Sequence, residues 1–348
     1  MRQPLIVTLT LNPAVDLSGE AEKVVPEHKL RCKNERHDPG GGGINVARVL
    51  RRLGADPLAV FPVGGAVGGR LENLVKNEGV RHAAIPAGGE TRENITVLES
   101  TTGREYRFLF PGQALSTWDI KKCCDTALFS VTRNSWLIAS GSLPPGGAID
   151  TYAVLARKAA SAGAFFALDA SGAPLREALA APITVLKLNE AELQSLSGSP
   201  LPDTAACVAA ATALLNAGVG MVAVTRARKG ALLVSDGFAL EAVAPPIEPV
   251  STVGAGDSFL AVLIWELARQ SSPEEALRSA VAAGSAALVA PGTELSRPEV
   301  IWHLRPGVQV STLSQRPSSI LPMPMPPGST LCELSQDRAR LLPLTPHG

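Results

Sequence analysis

No sign of charge prevails in this chain. Thirty-two Lys and Arg residues balance thirty-two Asp and Glu over 348 residues. Nothing in that balance draws the whole molecule to nucleic acid or to an anionic membrane, so any anion must be held by local groups. Cysteine is scarce as well. Cys32, Cys123, Cys124, Cys207 and Cys332 match neither a zinc-ligand spacing nor a redox pair, and adjacent Cys123 and Cys124 make a poor disulfide. A reducing cytoplasm fits that pattern. Long apolar runs are missing too: residues 5–11 are apolar but too short to span a bilayer, and they lack a signal-peptide cleavage pattern.

What is present is a large supply of core. Hydrophobic residues make up 45% of the chain and charged ones 18%, enough for one large domain or two ordinary ones. Short apolar runs at 6–11, 58–63, 136–140, 165–169, 183–188, 221–225 and 231–235 alternate with helix-like stretches such as 45–53, 150–162 and 204–216. That rhythm predicts an α/β fold with a mostly parallel sheet covered on both faces. Ligands in such sheets gather at the carboxyl ends of the strands.

Segments 17–39 and 92–111 break the rhythm. They alternate polar and apolar residues, as in Thr96-Val97-Leu98-Glu99 and Glu105-Tyr106-Arg107-Phe108, which predicts half-exposed antiparallel strands. A lid and an ordinary surface hairpin both satisfy the pattern. Ser272, Pro273, Glu274 and Glu275 mark the start of what reads as the last helix, ended by Pro291-Gly292. Residues 306–348 then turn rich in Pro, Ser and Gly, and are expected to form a disordered tail outside a domain spanning 1–305.

The sharpest motif is Ser251-Thr252-Val253-Gly254-Ala255-Gly256-Asp257-Ser258, just before the apolar stretch 259–268. Its glycines allow a tight turn whose free N–H groups sit at a helix start, an anion site suited to a transferring phosphoryl group. Asp257 is then either a plain partner of the helix dipole or a general base for a sugar hydroxyl. Two competing nucleotide motifs are absent. A dinucleotide fingerprint needs a third glycine where Phe259 stands, and no Gly-x-x-x-x-Gly-Lys-Ser/Thr occurs.

Four glycines, Gly40 to Gly43, precede Asn45 at the head of another helix, where a ligand or a second backbone can come close. Asn45 carries an amide suited to sugar hydroxyls. Asp16 follows the first strand. Lys29 and Arg31 lie in one candidate lid segment and Arg92 in the other; converging, they would hold a phosphate. Asn189 and Glu192 fit metal-bound waters, but an N-cap with its acidic first turn explains them equally simply, and the pattern alone favours the cap.

Taken together, these motifs resemble the ribokinase-like, PfkB-type carbohydrate kinase family. The ordered matches run over about residues 5 to 304 and include Gly40–Gly43 with Asn45, Gly64-Gly65-Ala66-Val67-Gly68, Ser140-Gly141-Ser142-Leu143-Pro144, Asn189 with Glu192, and Gly254-Ala255-Gly256-Asp257. The resemblance implies a three-layer α/β/α domain with a small β lid that mediates a homodimer. It makes Asp257 the base and Gly254, Ala255 and Gly256 an anion hole. Asp16, Lys29, Arg31, Gly41, Gly42, Asn45, Arg92 and Ser142 would face the sugar phosphate. Lys187, Asn189, Thr225, Ala227, Gly230, Ser251 and Thr252 would face ATP. Magnesium would sit near Asn189 and Glu192 through water. A monovalent cation such as potassium would sit at Ser251, Val253, Ala287, Ala290, Gly292 and Glu294.

Within the family the chain looks most like the minor bacterial 6-phosphofructokinases, on Lys29-Leu30-Arg31-Cys32, Gly40–Gly43 and Tyr106-Arg107-Phe108. That implies transfer of the ATP γ-phosphoryl group to the 1-hydroxyl of fructose 6-phosphate, with no nucleic acid or membrane partner. Asn12-Pro13-Ala14-Val15-Asp16 looks more like the sister branch of 1-phosphofructokinases and tagatose-6-phosphate kinases. A non-catalytic protein that binds sugar phosphate or nucleotide is the reading of another class. Departures from the pattern are Ala227 for a glycine, Leu188 for a proline, and Ala290 and Glu294 in the cation loop.

Overall fold

The computed structural model describes residues 4–315 except 291 and 293. The chain begins with β1 (Ile6–Leu9), β2 (Ala14–Ala21), β3 (Lys33–Gly40), α1 (Gly42–Arg52), β4 (Leu58–Val63) and α2 (Gly65–Asn77). It continues through β5 (Arg81–Pro86), β6 (Arg92–Glu99), β7 (Arg104–Phe108), α3 (Thr117–Phe129), β8 (Trp136–Ser140), α4 (Thr151–Ser161), β9 (Phe165–Asp169) and α5 (Gly172–Ala178). The last part holds β10 (Ile183–Asn189), α6 (Glu190–Ser197), α7 (Thr204–Asn216), β11 (Val219–Thr225), β12 (Ala231–Ser235) and β13 (Phe238–Val243). It closes with α8 (Ala255–Ala268), α9 (Pro273–Leu288), α10 (Pro298–Leu304) and β14 (Gln309–Gln315).

Ten strands form the main sheet in the order β14-β13-β12-β11-β10-β9-β8-β1-β4-β5. From β11 to β5 every neighbouring pair is parallel, and the three pairs from β11 out to β14 are antiparallel. The central strands are apolar almost throughout because both faces are covered. On β8, Leu137 and Ala139 pack with Ile120 of α3, Tyr152 of α4 and Leu175 of α5. Trp136 and Ile138 point the other way, into a layer with Val46 of α1, Phe259 of α8 and Ala280 of α9. Alternation along one strand thus feeds two cores, which makes the fold α/β/α. Helix α8 is apolar on nearly every side for the same reason: residues 260–264 have no exposed surface at all.

The two alternating segments do form a separate small sheet, in the order β3-β2-β6-β7. The outer pairs are antiparallel, as the period of two predicts, but the central β2–β6 pair is parallel, with Asp16 opposite Asn94. That pairing joins segments far apart in sequence, which local periodicity does not encode.

Two boundaries need correction. The domain does not end at Arg305, because β14 adds a strand to the free edge of β13, with Val310 opposite Ala242. The rest of the expected tail, 316–348, lies outside the described residues. Ser272 does cap a helix, accepting from the Glu275 N–H, but α10 follows it. Strands β5 and β13 were also missing from the sequence reading; β5 is a half-exposed edge with one fully buried side chain, Ile85.

Candidate active site

Helix α8 opens at the carboxyl edge of the main sheet. Gly254 caps it in a left-handed conformation, φ 72°, and the first backbone bond inside it runs from the Ser258 N–H to the Gly254 carbonyl. The N–H groups of Ala255, Gly256 and Asp257 therefore have no partner within the helix, and the positive end of the dipole gathers there. A side chain on Gly254 would strike Leu295, its Cβ only 2.4 Å from Cδ2. On Gly256 a Cβ would stand 2.8 Å from Lys187 Nζ. Glycine at 256 is thus what lets a buried ammonium come up against the helix start.

Asp257 faces a cleft of about 370 Å³, lined also by Asp16, Gly41, Gly42, Asn45, Arg92, Ser142, Glu192, Val253 and Gly254. Its Oδ2 accepts from the Asn45 amide at 2.8 Å. Burial, with the nearby Asp169 carboxylate adding to it, pushes the Asp257 pKa up to about 6, against the pull of the Asn45 bond and of Lys187. Lys187 is itself buried. Its Nζ donates to Asp169 Oδ2 at 2.9 Å, and although burial disfavours its charge, Asp169 outweighs that and holds its pKa above the ordinary value. A carboxyl that titrates near neutrality beside free amides is poised to take a proton while the amides meet the charge that develops.

The small sheet closes the other side. Asp16 of β2 accepts from Asn94 Nδ2 at 2.8 Å, and burial raises its pKa. Arg92 donates to the Phe110 carbonyl at 2.8 Å and to the Asn12 carbonyl at 3.0 Å, while Asn12 Nδ2 donates to Ser142 Oγ at 3.1 Å. These bonds tie the ends of three segments together around the cleft. Two buried polar atoms of cleft-lining residues, Arg92 Nε and Asn94 Oδ1, have no partner, which fits a polar ligand that supplies them.

The glycine run is mainly a packing device. A Cβ at Gly40 would lie 2.2 Å from Asp16 Oδ2, at Gly42 2.1 Å from Ser140 Oγ, and at Gly43 2.6 Å from the Leu9 carbonyl. Gly41 and Gly42 still line the cleft. Lys29 and Arg31 do not: both are exposed in the connection between β2 and β3. Sequence reasoning missed Asn94, Thr96, Arg107, Ser140, Asp169 and Ser171, all in the lining. Ser140 and Asp169 end parallel strands, so the strand-end rule was the signal for them; Arg107 stood in the Tyr106-Arg107-Phe108 stretch that carries the resemblance, and nothing local marked Asn94, Thr96 or Ser171 as cleft residues.

Among the residues expected to face ATP, Asn189 and Glu192 form a reciprocal capping box, each side chain accepting from the other's backbone N–H at 2.8 Å. The bland reading of that pair is therefore present, yet Glu192 also lines the cleft. Thr225 Oγ1 donates to the Leu188 carbonyl at 3.3 Å. Ala227 sits at φ 50°, the positive-φ position where the resemblance expects glycine. Gly230 is demanded by the backbone, since its Cβ would fall 1.9 Å from the Ala242 carbonyl. Ser251 is buried and Thr252 exposed, and the Ser251 N–H donates to the Leu288 carbonyl at 3.2 Å, joining the turn before α8 to the end of α9.

Among the described residues no three His, Cys, Asp or Glu side chains are grouped to hold a metal. Magnesium does not need such a cage, taking one or two carboxylates together with phosphates and water, so a cleft-lining Glu192 fits. In the expected cation loop the Glu294 carboxylate pairs with Arg297 and, at 3.5 Å, with Arg36, so that position could offer a cation only its backbone carbonyl. Val253, Ala287, Ala290 and Gly292 have no donor in their side chains, which leaves only backbone carbonyls.

The sequence profile of the pfkB family of carbohydrate kinases matches residues 6–300. An ATP-dependent 6-phosphofructokinase isozyme 2 of Escherichia coli is 39% identical over 292 residues, covering 83% of this chain and 94% of that protein. Its counterpart in Mycobacterium tuberculosis is 38% identical over 292 residues, 84% of this chain and 86% of that one. The crystal structure of E. coli phosphofructokinase-2 in complex with potassium superposes with a TM-score of 0.84 at 37% identity, covering 87% of this chain and 98% of that one. By profile, sequence and ribokinase-like fold alike, the chain belongs to the pfkB family of carbohydrate kinases.

Proposed function

We propose that the protein is an ATP-dependent kinase that phosphorylates the 1-hydroxyl of fructose 6-phosphate. The observation that carries the reading is Asp257, a partly buried carboxyl with a pKa near 6 at the amide-lined start of α8. Asp257 Oδ takes the proton of the sugar hydroxyl as its oxygen bonds to the γ-phosphorus. The bond from that phosphorus to the bridging oxygen breaks, and ADP leaves. The amides of Ala255 and Gly256 meet the equatorial charge of the transferring group. Glu192 would hold a magnesium ion through water, and the ion would offset part of the phosphates' charge. Arg92 and Arg107, the lining cations of the small sheet, suit the sugar's own phosphate, while Asp16 and Asn45 suit its hydroxyls.

The names of the relatives support the choice of sugar. The two named isozymes 2 stand above a 1-phosphofructokinase of Xanthomonas campestris at 35% identity. A coupled ADP-release assay on fructose 6-phosphate, tagatose 6-phosphate and fructose 1-phosphate tests it: kcat/KM should be highest for the first. Preference for another sugar overturns the substrate, and ligand-induced stabilisation without ADP release overturns the enzyme.

Potassium binding through the carbonyls around Ser251 and Ala287 fits the cation loop described above. A homodimer through the small sheet fits its exposed Leu30, Phe108, Leu109 and Phe110. The E. coli relative is known in a tetrameric inhibited form, and sedimentation at several concentrations separates these states. No helix among the described residues is long and apolar enough to cross a membrane. Cys32, Cys123, Cys124 and Cys207 are free, which suits a cytoplasmic enzyme.

A further inference from the structure

We infer that Arg48 is a positioning residue, which holds the Asn45 amide in the one orientation that donates to Asp257. Arg48 is 1% exposed, one turn beyond Asn45 on α1. Its Nη1 donates to Asn45 Oδ1 at 3.2 Å and to the Pro39 carbonyl at 2.8 Å. Its Nε and Nη2 meet both carboxylate oxygens of Glu78, which caps the end of α2. Asp38 approaches the same guanidinium at 3.6 Å.

The two neighbours of Asn45 leave its amide no choice. A guanidinium only donates, so the amide oxygen must face Arg48. An ionised carboxylate only accepts, so the amide nitrogen must face Asp257. Without Arg48 the amide is free to turn, and an oxygen turned towards Asp257 would repel the carboxylate. Arg48 does not itself line the cleft, and its hydrogen bonds go to Asn45, Pro39 and Glu78 rather than to Asp257, so it acts on Asp257 through Asn45. Glu78, three residues short of β5 and half-buried, in turn fixes the guanidinium plane with a fork that lysine lacks.

The inference rests on the proposal that Asp257 is the base, and a double-mutant cycle on the full chain separates the two. Arg48→Met should lower kcat on the order of tenfold, with KM for MgATP within about twofold of the parent. In an Asn45→Ala background, Arg48→Met should cost no further kcat, because the group it orients is gone. Glu78→Gln should lower the melting temperature and leave kcat within about twofold, since Arg48 keeps its bonds to Asn45 and Pro39. Should Arg48→Met fail to fold, the same cycle is run with Arg48→Met and Glu78→Gln together, which removes the Glu78 charge that Arg48→Met alone leaves without its guanidinium. Additive losses in the cycle, or a kcat loss in Glu78→Gln as large as that in Arg48→Met, would reduce Arg48 to a scaffold and overturn the inference. Near-normal turnover in Asp257→Asn would instead sink the proposed base and leave the cycle to be judged by itself.

Discussion

Replacing Asp257 with asparagine should abolish turnover and yet make the protein more stable. The carboxyl titrates near 6 in the fold against 3.8 for an ordinary aspartate, a difference of about two pH units. Each unit corresponds to about 1.4 kcal/mol between the two protonation states, so the ionised side chain costs the fold on the order of 3 kcal/mol at neutral pH. The sign follows from proton binding. Between about pH 4 and 6 the native state holds the proton more tightly than the unfolded chain, so stability falls as pH rises through that window and is flat above it. Asparagine keeps the shape and an acceptor for the Asn45 amide without the charge. With an unfolding entropy of about 2 cal/mol/K per residue, relief of 3 kcal/mol is worth about 4–5 °C in a domain of this size. The assay is thermal unfolding of parent and Asp257→Asn at pH 8 and pH 4, with ADP release measured alongside. The variant should melt higher at pH 8, and the gap should shrink towards pH 4 as the parent carboxylate takes up its proton. A gap of the same size at both pH values, or a variant that melts lower at pH 8, would refute the claim that burial strains this carboxylate.

The same value predicts an acid limb. With a base of pKa about 6, kcat/KM at pH 5 should be on the order of a tenth of that at pH 7, whereas a base near 3.8 would leave it almost flat; a pH–rate profile decides. Gly40→Ala places a Cβ 2.2 Å from Asp16 Oδ2. Because the obstacle is a side-chain tip, the fold should survive while Asp16 moves, so KM for the sugar phosphate should rise severalfold with a loss of stability of no more than about 1 kcal/mol. Ala227→Gly removes a Cβ from a φ of 50° and should stabilise by about 1 kcal/mol or less, since unfolded-state entropy offsets part of the strain relief; a urea midpoint that falls instead contradicts it. Arg92→Met should raise KM for the sugar phosphate more than tenfold, as loss of a charged hydrogen bond predicts, while KM for MgATP stays put, and equal effects on both substrates would remove Arg92 from the sugar side.

The main sheet was legible because its chemistry is local. A strand buried on both faces must be apolar throughout, and β8, β9 and β10 announce themselves for that reason alone. Edges are quieter. β14 escaped notice because a strand on the rim of a sheet needs little apolar surface, and Gln309, Ser311 and Thr312 read as part of the polar tail that follows. The glycine turn before α8 was legible because glycines before an apolar helix carry a backbone meaning. The small-sheet side of the cleft was not, since Asn94 and Arg107 are ordinary polar residues of alternating strands until the parallel β2–β6 register sets Asn94 against Asp16. Lys29 and Arg31 lie outside the cleft lining of their own chain: their charge suggested phosphate, but nothing in a loop's sequence says which way it turns. Asn189 and Glu192 show two meanings in one pair, a capping box that also presents a carboxylate to the cleft.

The cleft draws its cations from one sheet alone. The lining cations, Arg92 and Arg107, come from the small sheet together with the carboxylate of Asp16, whereas Asp169, Glu192 and Asp257 come from the main domain. Lys187, the buried cation near Asp257, is spent on Asp169. The wall around the base is therefore electronegative until something cationic is brought to it, which is one reason the Asp257 pKa stays high. On the proposed function, the phosphate of a bound sugar would meet Arg92 and Arg107 on the small sheet while its hydroxyl faced Asp257, so the substrate's own charge would bridge the two halves of the site. A neutral sugar with the same hydroxyls offers no such link, and on this geometry it would be both a weaker ligand and a slower acceptor.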